Sequence, residues 1–357
     1  MAEHFHALEV AEIVPETEEA VSIRFLVPPE LAEAFRFKAG QHLTLMAVMG
    51  GEEVRRNYSL CTAPADNDLM VTVKRIAGGV FSNWAAEQLK PGERIAVMPP
   101  HGSFTVPFEA GRANHYVGFA GGSGITPIIS LIRTALSTEP DSRFTLFYGN
   151  RDSSSVIFLE ALADLKDRYI GRFELYHFLS DEEQDIELFN GMLDRDTCAE
   201  AIDRLVGDPS AVSDWFICGP GPMMDAAEAV LVERGIEERR IHIERFTAGR
   251  PSAAIAAALQ AAQQEAKGLS VSVTLDGRTR KVEFNGENIL DSAREAGLPA
   301  PFACKAGVCA TCRARVTRGK VEMAVHYGLS ADEVAAGYVL TCQSVPVGEG
   351  VAVDYDA

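Results

Sequence analysis

Pro301-Phe302-Ala303-Cys304-Lys305-Ala306-Gly307-Val308-Cys309-Ala310-Thr311-Cys312 is the stretch from which the rest of the 357-residue chain can be read. Its three cysteines stand four and then two residues apart, and a fourth, Cys342, follows after 29 more. Four thiolates are what a [2Fe–2S] cluster requires, and C-x4-C-x2-C with a distant fourth cysteine is a spacing that holds one. Gly307 accepts a positive φ and lets the loop curl tightly. Ala306, Val308 and Ala310 are small or apolar, so backbone N–H groups can approach the sulfides while water is held off. The competing reading is a zinc knot, but zinc knots pair short CxxC-type units, whereas here three cysteines share one loop and the fourth is solitary. Ordinary core cysteines scatter along a chain, as Cys61, Cys198 and Cys218 do. Spacing and flanks together make Cys304, Cys309, Cys312 and Cys342 the expected metal ligands.

With these residues, positions 269–357 resemble a plant-type ferredoxin domain, which implies an α+β, ferredoxin-like β-grasp built around [2Fe–2S]. Strands are expected at Ser270–Leu275 and Thr279–Phe284, and a helix at Asn288–Glu295, ahead of the cluster loop. The preceding stretch, 247–268, holds nine alanines and few large apolar groups. It reads as a linker, either a marginal helix or a flexible tether.

The first hundred residues are short alternating or apolar runs punctuated by Gly and Pro. His6–Val14, Ala20–Val27, His42–Val48, Val54–Leu60, Leu69–Arg75 and Arg94–Met98 read as strands, with one helix near Phe81–Leu89. That pattern predicts a closed antiparallel β-barrel. A flavin needs a flat aromatic partner, a donor near N5/O4 and a cation for its phosphates. Arg56-Asn57-Tyr58-Ser59, at a strand end, offers Tyr58, Ser59 and Arg56 for those roles. Gly78-Gly79-Val80-Phe81-Ser82 leads into the helix, where glycines and a helix N-terminus suit a pyrophosphate and Ser82 adds a hydroxyl. Each motif alone is weak. Together, and followed by Pro100-His101-Gly102-Ser103-Phe104, they resemble the ferredoxin–NADP⁺ reductase family and imply FAD as the flavin.

From residue 112 the period changes to alternating strand and helix. Strands are expected at Asn114–Phe119, Phe144–Tyr148, Phe173–Leu179, Asp214–Cys218 and Ile241–Ile243, with helices at Pro127–Ser137, Phe158–Arg168, Thr197–Leu205 and Pro222–Arg234. This is the pattern of an α/β doubly wound parallel sheet. Its first turn carries Gly121, Gly122, Gly124, Thr126 and Pro127, glycines that free the backbone for phosphates and a proline suited to a first helical turn. Pro127 stands where a dinucleotide fingerprint would have its third Gly, and the reductase resemblance implies this G-x-G-x-x-P form for the nicotinamide dinucleotide. The same resemblance implies that Cys218, in Cys218-Gly219-Pro220, lies near the reacting carbon, and that Glu244 and Phe246 close the site with Phe246 over the other flavin face. Buried as a small core residue, Cys218 would need no such role.

A 2′-phosphate on the adenosine ribose requires cations, whereas a free 2′-OH accepts a neutral or acidic neighbour. NADP-using relatives place Ser-Arg after the third strand; here Ser180-Asp181-Glu182-Glu183 stands there. Arg151 is the opposing cation, with Asp152 beside it competing for its charge. Three acids against one arginine favour NADH over NADPH.

Of the formal charge of −18, residues 1–250 hold −16 and residues 269–357 only −2. Such acidity argues against nucleic acid or an anionic membrane as partner. No apolar run approaches the ~18–20 residues of a membrane span, and the N-terminus shows neither a basic start nor an apolar core of a signal peptide. Seven cysteines, four of them assigned to iron, suit a reducing cytoplasm. The order expected is an FAD barrel at 1–109, an NAD(P) domain at 110–246, a linker at 247–268 and a ferredoxin at 269–357. The whole resembles the reductase component of a bacterial multicomponent oxygenase, of the phenylacetyl-CoA epoxidase reductase and ketosteroid hydroxylase reductase type. That resemblance implies a monomer that takes hydride from a nicotinamide and hands single electrons to an oxygenase. Reductases of Rieske oxygenases or desaturases, and an electron-carrier module without hydride turnover, are the alternatives.

Overall fold

The structure is a computed structural model that describes residues 5–246 and 253–357. By internal contacts the chain divides into two compact units. One runs from His6 to Glu244 apart from Arg55–Asn57; the other holds the described residues from Arg245 to Ala357, with Phe5 and Arg55–Asn57 grouped in it.

The first unit opens with β1 (His6–Thr17), β2 (Ala20–Leu26), β3 (His42–Met49), β4 (Glu52–Ser59), β5 (Leu69–Lys74), helix α1 (Val80–Glu87) and β6 (Arg94–Val97). The sheet order is β4-β3-β6-β1-β2-β5. A bridge between Leu60, just past β4, and Val71 of β5 joins the two edge strands and closes the expected barrel. Alternate residues point inward, as strand geometry dictates: Leu8 and Val10, Ile23 and Phe25, Leu43 and Leu45, Val71 and Val73, Ile95 and Val97 are all buried. Each such side chain contributes roughly 1.5–3 kcal/mol of burial.

Next come β7 (His115–Gly121), α2 (Ile125–Thr138), β8 (Arg143–Asn150), α3 (Leu159–Arg168), β9 (Phe173–Leu179), α4 (Arg195–Ala201), β10 (Asp214–Cys218), α5 (Gly221–Glu233) and β11 (Ile241–Glu244). The five strands are parallel in the order β11-β10-β7-β8-β9. β7 is buried along its entire length, as a central strand covered on both faces must be. Strand order reverses between β7 and β10, and such a switch point opens a crevice beyond the strand ends where ligands bind. The helix expected over Thr197–Leu205 loosens after α4 into a π-type turn, Ile202–Val206, and ends at Gly207 with φ 80°. The buried Ser130 hydroxyl, on α2, donates to the Thr62 carbonyl of the barrel at 2.6 Å.

The second unit contains α6 (Ala253–Ala266), β12 (Ser270–Leu275), β13 (Arg278–Glu283), α7 (Ile289–Glu295), β14 (Arg313–Met323), α8 (Ala331–Ala335), β15 (Tyr338–Leu340) and β16 (Ser344–Asp354). Its mixed sheet has the order β13-β12-β16-β14-β15, with β12 and β16 parallel. The β12–β13 turn is Asp276-Gly277, both at positive φ, and the Asp356 carboxylate accepts both their N–H groups at 3.0 and 2.8 Å. The stretch expected as a linker carries α6, and α6 is not a tether. Ala266 is 2% exposed, and Leu259 and Ala262 pack on the core of this unit. Few apolar residues suffice because they fall on one face, Leu259, Ala262 and Ala266 at helical spacing.

Candidate functional site

The β3–β4 hairpin turns through Gly50 and Gly51, both at positive φ (60° and 87°), as a tight two-residue turn demands. Its register sets Arg56, Tyr58 and Ser59 at the end of β4. Ser59 faces inward and is 2% exposed, whereas Arg56 is exposed and Tyr58 half-buried. Arg56 Nη1 donates to the Arg55 carbonyl at 2.7 Å. The Tyr58 ring packs on Phe81 with centroids 5.7 Å apart, so the two flavin motifs meet in space. Gly78, φ 72°, and Gly79 lead into α1, which begins at the exposed Val80 with no side chain capping it. A Cβ on Gly79 would stand 2.5 Å from Ser82 Oγ, and that hydroxyl accepts the Ile76 N–H at 3.2 Å. Among the described residues Ser59 Oγ, which is buried, has no hydrogen-bond partner, a state that costs about 1–3 kcal/mol. A flavin edge offers the partner this hydroxyl lacks, and in that respect the residues fit FAD.

At the switch point, the 121–127 loop and the 218–222 loop are in backbone contact. A Cβ on Gly124 would lie 1.9 Å from the Cys218 carbonyl oxygen, and one on Gly121 would lie 2.5 Å from Pro220 Cδ. A Cβ on Gly219 would lie 2.9 Å from the Gly121 nitrogen. These three glycines are therefore required by the fold before any phosphate is considered. Gly122, at φ 51°, keeps an open face with Lys74 Nζ beside it. Thr126 Oγ1 donates to the Ser123 carbonyl at 3.0 Å, and Pro127 is the third residue of α2. Cys218 is fully buried; burial first, and the Glu244 charge second, push its thiol well above the ordinary range. It is a neutral packing surface and not a base. Glu244, its neighbour on β11, has Oε1 3.5 Å from His42 Nδ1.

Arg151 follows β8 and its carbonyl accepts the Asp181 N–H at 2.7 Å. Ser180 Oγ donates to Asp181 Oδ1 at 2.8 Å. The direct ion pair of Arg151 is with Glu19, at 3.0 Å; Asp152 accepts from the Ser154 hydroxyl and the Ser155 N–H, and the charge of Arg151 acts on it as a lesser influence.

In the second unit, the cluster loop turns through three residues at positive φ: Lys305 (52°), Gly307 (73°) and Ala310 (55°). Gly307 is needed twice over, because a Cβ there would also stand 2.7 Å from Val325 Cγ2. The four thiols meet two by two. A hydrogen bond to Cys309, and then burial, push Cys304 up, while that bond and donors on Thr311 hold Cys309 down. Cys312 and Cys342 form the same kind of pair, with Cys342 held down by Cys312 first and by the Gln343 side chain. Backbone N–H groups also converge on the sulfurs. The Ala306 N–H reaches Cys304 Sγ at 3.3 Å and the Cys304 N–H reaches Cys309 Sγ at 3.5 Å. Among the described residues no three metal-binding side chains gather about one point. Two pairs of thiols in a cage of N–H donors fit a binuclear cluster rather than one zinc ion.

Phe246, just past β11, is 40% exposed and falls in the second unit. Residues outside every sequence motif also join these sites: Lys74 and Glu19 at the dinucleotide loop, His42 against Glu244, and Gln343 at the cluster. Gln343 was findable as the polar neighbour of the solitary Cys342; Glu19 and His42 had no local signal.

Comparison with known proteins agrees with the three-part reading. Residues 8–106 match the oxidoreductase FAD-binding domain family, 119–229 the oxidoreductase NAD-binding domain family, and 273–347 the 2Fe-2S iron-sulfur cluster binding domain family. The chain is 45% identical over 355 residues to a 1,2-phenylacetyl-CoA epoxidase subunit of Escherichia coli (strain K12), covering 99% of this chain and 98% of that protein. It is 38% identical, over 100% of its own length and 97% of the relative's, to the ferredoxin reductase component of 3-ketosteroid-9-alpha-monooxygenase of Mycobacterium tuberculosis. In fold it is similar to phthalate dioxygenase reductase, with a TM-score of 0.60, 23% identity and 98% of each chain covered. The chain thus belongs to the ferredoxin–NADP⁺ reductase-like flavoproteins fused to a C-terminal plant-type ferredoxin, the NAD(P)H-dependent reductase components that pass electrons through FAD and [2Fe–2S] to an oxygenase.

Proposed function

We propose that this chain is the reductase of a phenylacetyl-CoA epoxidase-type oxygenase and that NADH is its electron donor. The observation that carries the first half is full-length identity of 45% to the Escherichia coli epoxidase protein, above the 38% to the steroid monooxygenase component. FAD, when bound, converts a two-electron hydride into single electrons that an iron–sulfur centre accepts. The residues do the rest. Arg56, Gly78, Gly79, Val80 and Ser82 hold the flavin phosphates, Tyr58 stacks on the ring, and Ser59 donates to its polar edge. Gly121, Gly122, Gly124, Thr126, Pro127, Gly219 and Pro220 shape the nicotinamide crevice, in which the neutral Cys218 excludes water and Glu244 binds beside it. Phe246 covers the opposite flavin face. Cys304, Cys309, Cys312 and Cys342 hold the cluster.

The preference for NADH rests on the Glu19 carboxylate at Arg151 and on Asp181 in the place of a phosphate-binding arginine, with Ser180 completing the ribose end. We place the domains at 1–109, 110–246 and 269–357, and count α6 with the last. The protein acts as a cytoplasmic monomer; with four of its seven cysteines given to the cluster, the remaining three suit a reducing compartment better than a disulfide framework. Among the described residues no helix is long and apolar enough to cross a membrane. The test is reconstitution with the oxygenase components of a phenylacetyl-CoA epoxidase: NADH oxidation should be coupled to epoxide formation. Coupling only to a Rieske oxygenase would overturn the partner, and a wild-type kcat/KM favouring NADPH tenfold would overturn the donor. Asp181→Arg should improve kcat/KM for NADPH by about 1–2 kcal/mol, the worth of a charge-assisted hydrogen bond.

A further inference from the structure

The two-residue turn between β1 and β2 is Glu18-Glu19. Its backbone is pinned: the Glu19 N–H donates to Thr17 Oγ1 at 3.2 Å, and the Glu19 carbonyl accepts the Arg75 N–H at 2.6 Å. From that fixed base the carboxylate reaches two cations at once. Oε2 lies 3.0 Å from Arg151 Nη2 and 3.7 Å from Lys74 Nζ. Both cations border the dinucleotide loops. Lys74 Nζ is 3.7 Å from where a Cβ on Gly122 would stand, and the Arg151 carbonyl accepts the Asp181 N–H at 2.7 Å. A carboxylate of the barrel therefore sits between a cation of its own sheet, Lys74 at the end of β5, and one of the nicotinamide side, Arg151.

We propose that Glu19 is a specificity-determining residue, an internal counter-anion that occupies Arg151 and Lys74 and so keeps the 2′-phosphate of NADPH away. The inference rests on the reading of Arg151, Ser180 and Asp181 as the ribose end. A phosphate dianion arriving at Arg151 must displace Glu19 from the guanidinium and then remain close to it, so attraction is lost and repulsion added. A ribose 2′-OH carries no charge and meets neither penalty. Because the Glu19 backbone is held by the Arg75 N–H just past β5, the carboxylate cannot retreat with the turn. Glu19 and Arg151 are both about half-exposed, so added salt screens the effect.

The test compares full-length wild type with Glu19→Gln, which keeps the size and the hairpin backbone. Dissociation constants of 2′,5′-ADP and of ADP are measured by titration calorimetry, alongside kcat/KM for NADPH and NADH. Glu19→Gln should bind 2′,5′-ADP about two- to fivefold more tightly, within the range of an exposed charge pair, with ADP little changed. The gain should shrink in high salt and fall to less than half in Glu19→Gln/Arg151→Gln, since the shorter of the two contacts, that with Arg151, carries most of it. An unchanged affinity for 2′,5′-ADP, or an equal gain for ADP, overturns the assignment of Glu19 while leaving the NADH preference standing. A wild type that prefers NADPH overturns both.

Discussion

Gly124→Ala adds one methyl group where two loops of the nicotinamide crevice touch. Gly124 has φ −62° and ψ −12°, a helical conformation any residue adopts, so the substitution introduces no backbone strain. The cost is contact alone. The new Cβ would stand 1.9 Å from the Cys218 carbonyl oxygen, 2.4 Å from its carbon and 2.8 Å from the Gly219 nitrogen. Ordinary contact starts near 3.4 Å, so one backbone must withdraw by about 1.5 Å, and no flexible side-chain tip is available to yield instead. Overpacking costs about 1–3 kcal/mol and sometimes more, and a clash between backbones belongs at the upper end. Taking about 3 kcal/mol, and 2–4 °C per kcal/mol for a unit of this size, Tm should fall by about 6–12 °C. A displacement of about 1 Å in a hydride-transfer geometry costs on the order of a hundredfold in rate. Flavin reduction by NADH, followed by stopped-flow absorbance, should slow accordingly while flavin content per chain stays near wild type. Gly111→Ala, with nothing within 4 Å of its Cβ position, serves as control. The reasoning is refuted by a Gly124→Ala protein that melts within about 1 °C of wild type and bleaches its flavin at the wild-type rate.

Protein prepared anaerobically should contain two irons and two acid-labile sulfides per chain, with a potential on the order of −400 mV; zinc in their place would falsify the cluster assignment, and Cys342→Ser should lose the cluster yet keep its flavin. A chain ending at Phe246 should stay yellow and reduce ferricyanide with NADH but no longer reduce cytochrome c efficiently. A chain ending at residue 268 should in addition bind apolar dyes, because Leu259, Ala262 and Ala266 lose the core they pack on; equal dye binding by the two truncations would contradict that packing. Acid should destabilise the first unit early. Burial, and then His42, hold His101 down to about 3, and burial, and then Arg143, hold His115 down to about 4, against 6.5 ordinarily. The unfolded chain then binds more protons, so stability is full above pH 6.5 and is lost as pH falls toward 4, by up to about 3 kcal/mol per pH unit. A urea midpoint that is flat from about pH 7 to about pH 5 contradicts this, and His101→Gln should lessen the slope.

Which parts of the fold were legible follows from where each element keeps its information. The barrel strands and the parallel strands were readable because each carries its period locally, and Gly or Pro marks its ends. The long strand β14 carries no such local mark. β14, Arg-Ala-Arg-Val-Thr-Arg-Gly-Lys-Val-Glu-Met, has cations through its middle and a glycine, with irregular pairing around Arg318 and Lys320. Its place is set by pairing with β15 and β16, which is long-range information. The α6 helix shows the converse. Its composition suggests weak intrinsic order, and docking on the neighbouring core supplies what propensity does not.

The site divides along the same line. The four cysteines are legible because ligand chemistry forces their spacing; the structure adds that Cys304 meets Cys309 and Cys312 meets Cys342, with backbone N–H groups turned onto the sulfurs of the first pair. The glycines of the 121–124 loop were legible as positions and misleading as reasons. Reading them as room for phosphate misses that Gly121 and Gly124 are already obliged by Pro220 and the Cys218 carbonyl. A motif glycine can therefore serve the ligand at one remove, by letting two loops approach so that the crevice between them has the right width. Gly122 is different: its added Cβ would meet only the end of Lys74, at 3.7 Å. Its positive φ, not crowding, is what makes a side chain costly there. Gly122→Ala should thus weaken dinucleotide binding with a smaller loss of Tm than Gly124→Ala, since the strain is local and no neighbouring backbone has to move. Thermal melts paired with 2′,5′-ADP titration separate the two cases, and equal Tm losses would show that crowding and φ had been wrongly assigned.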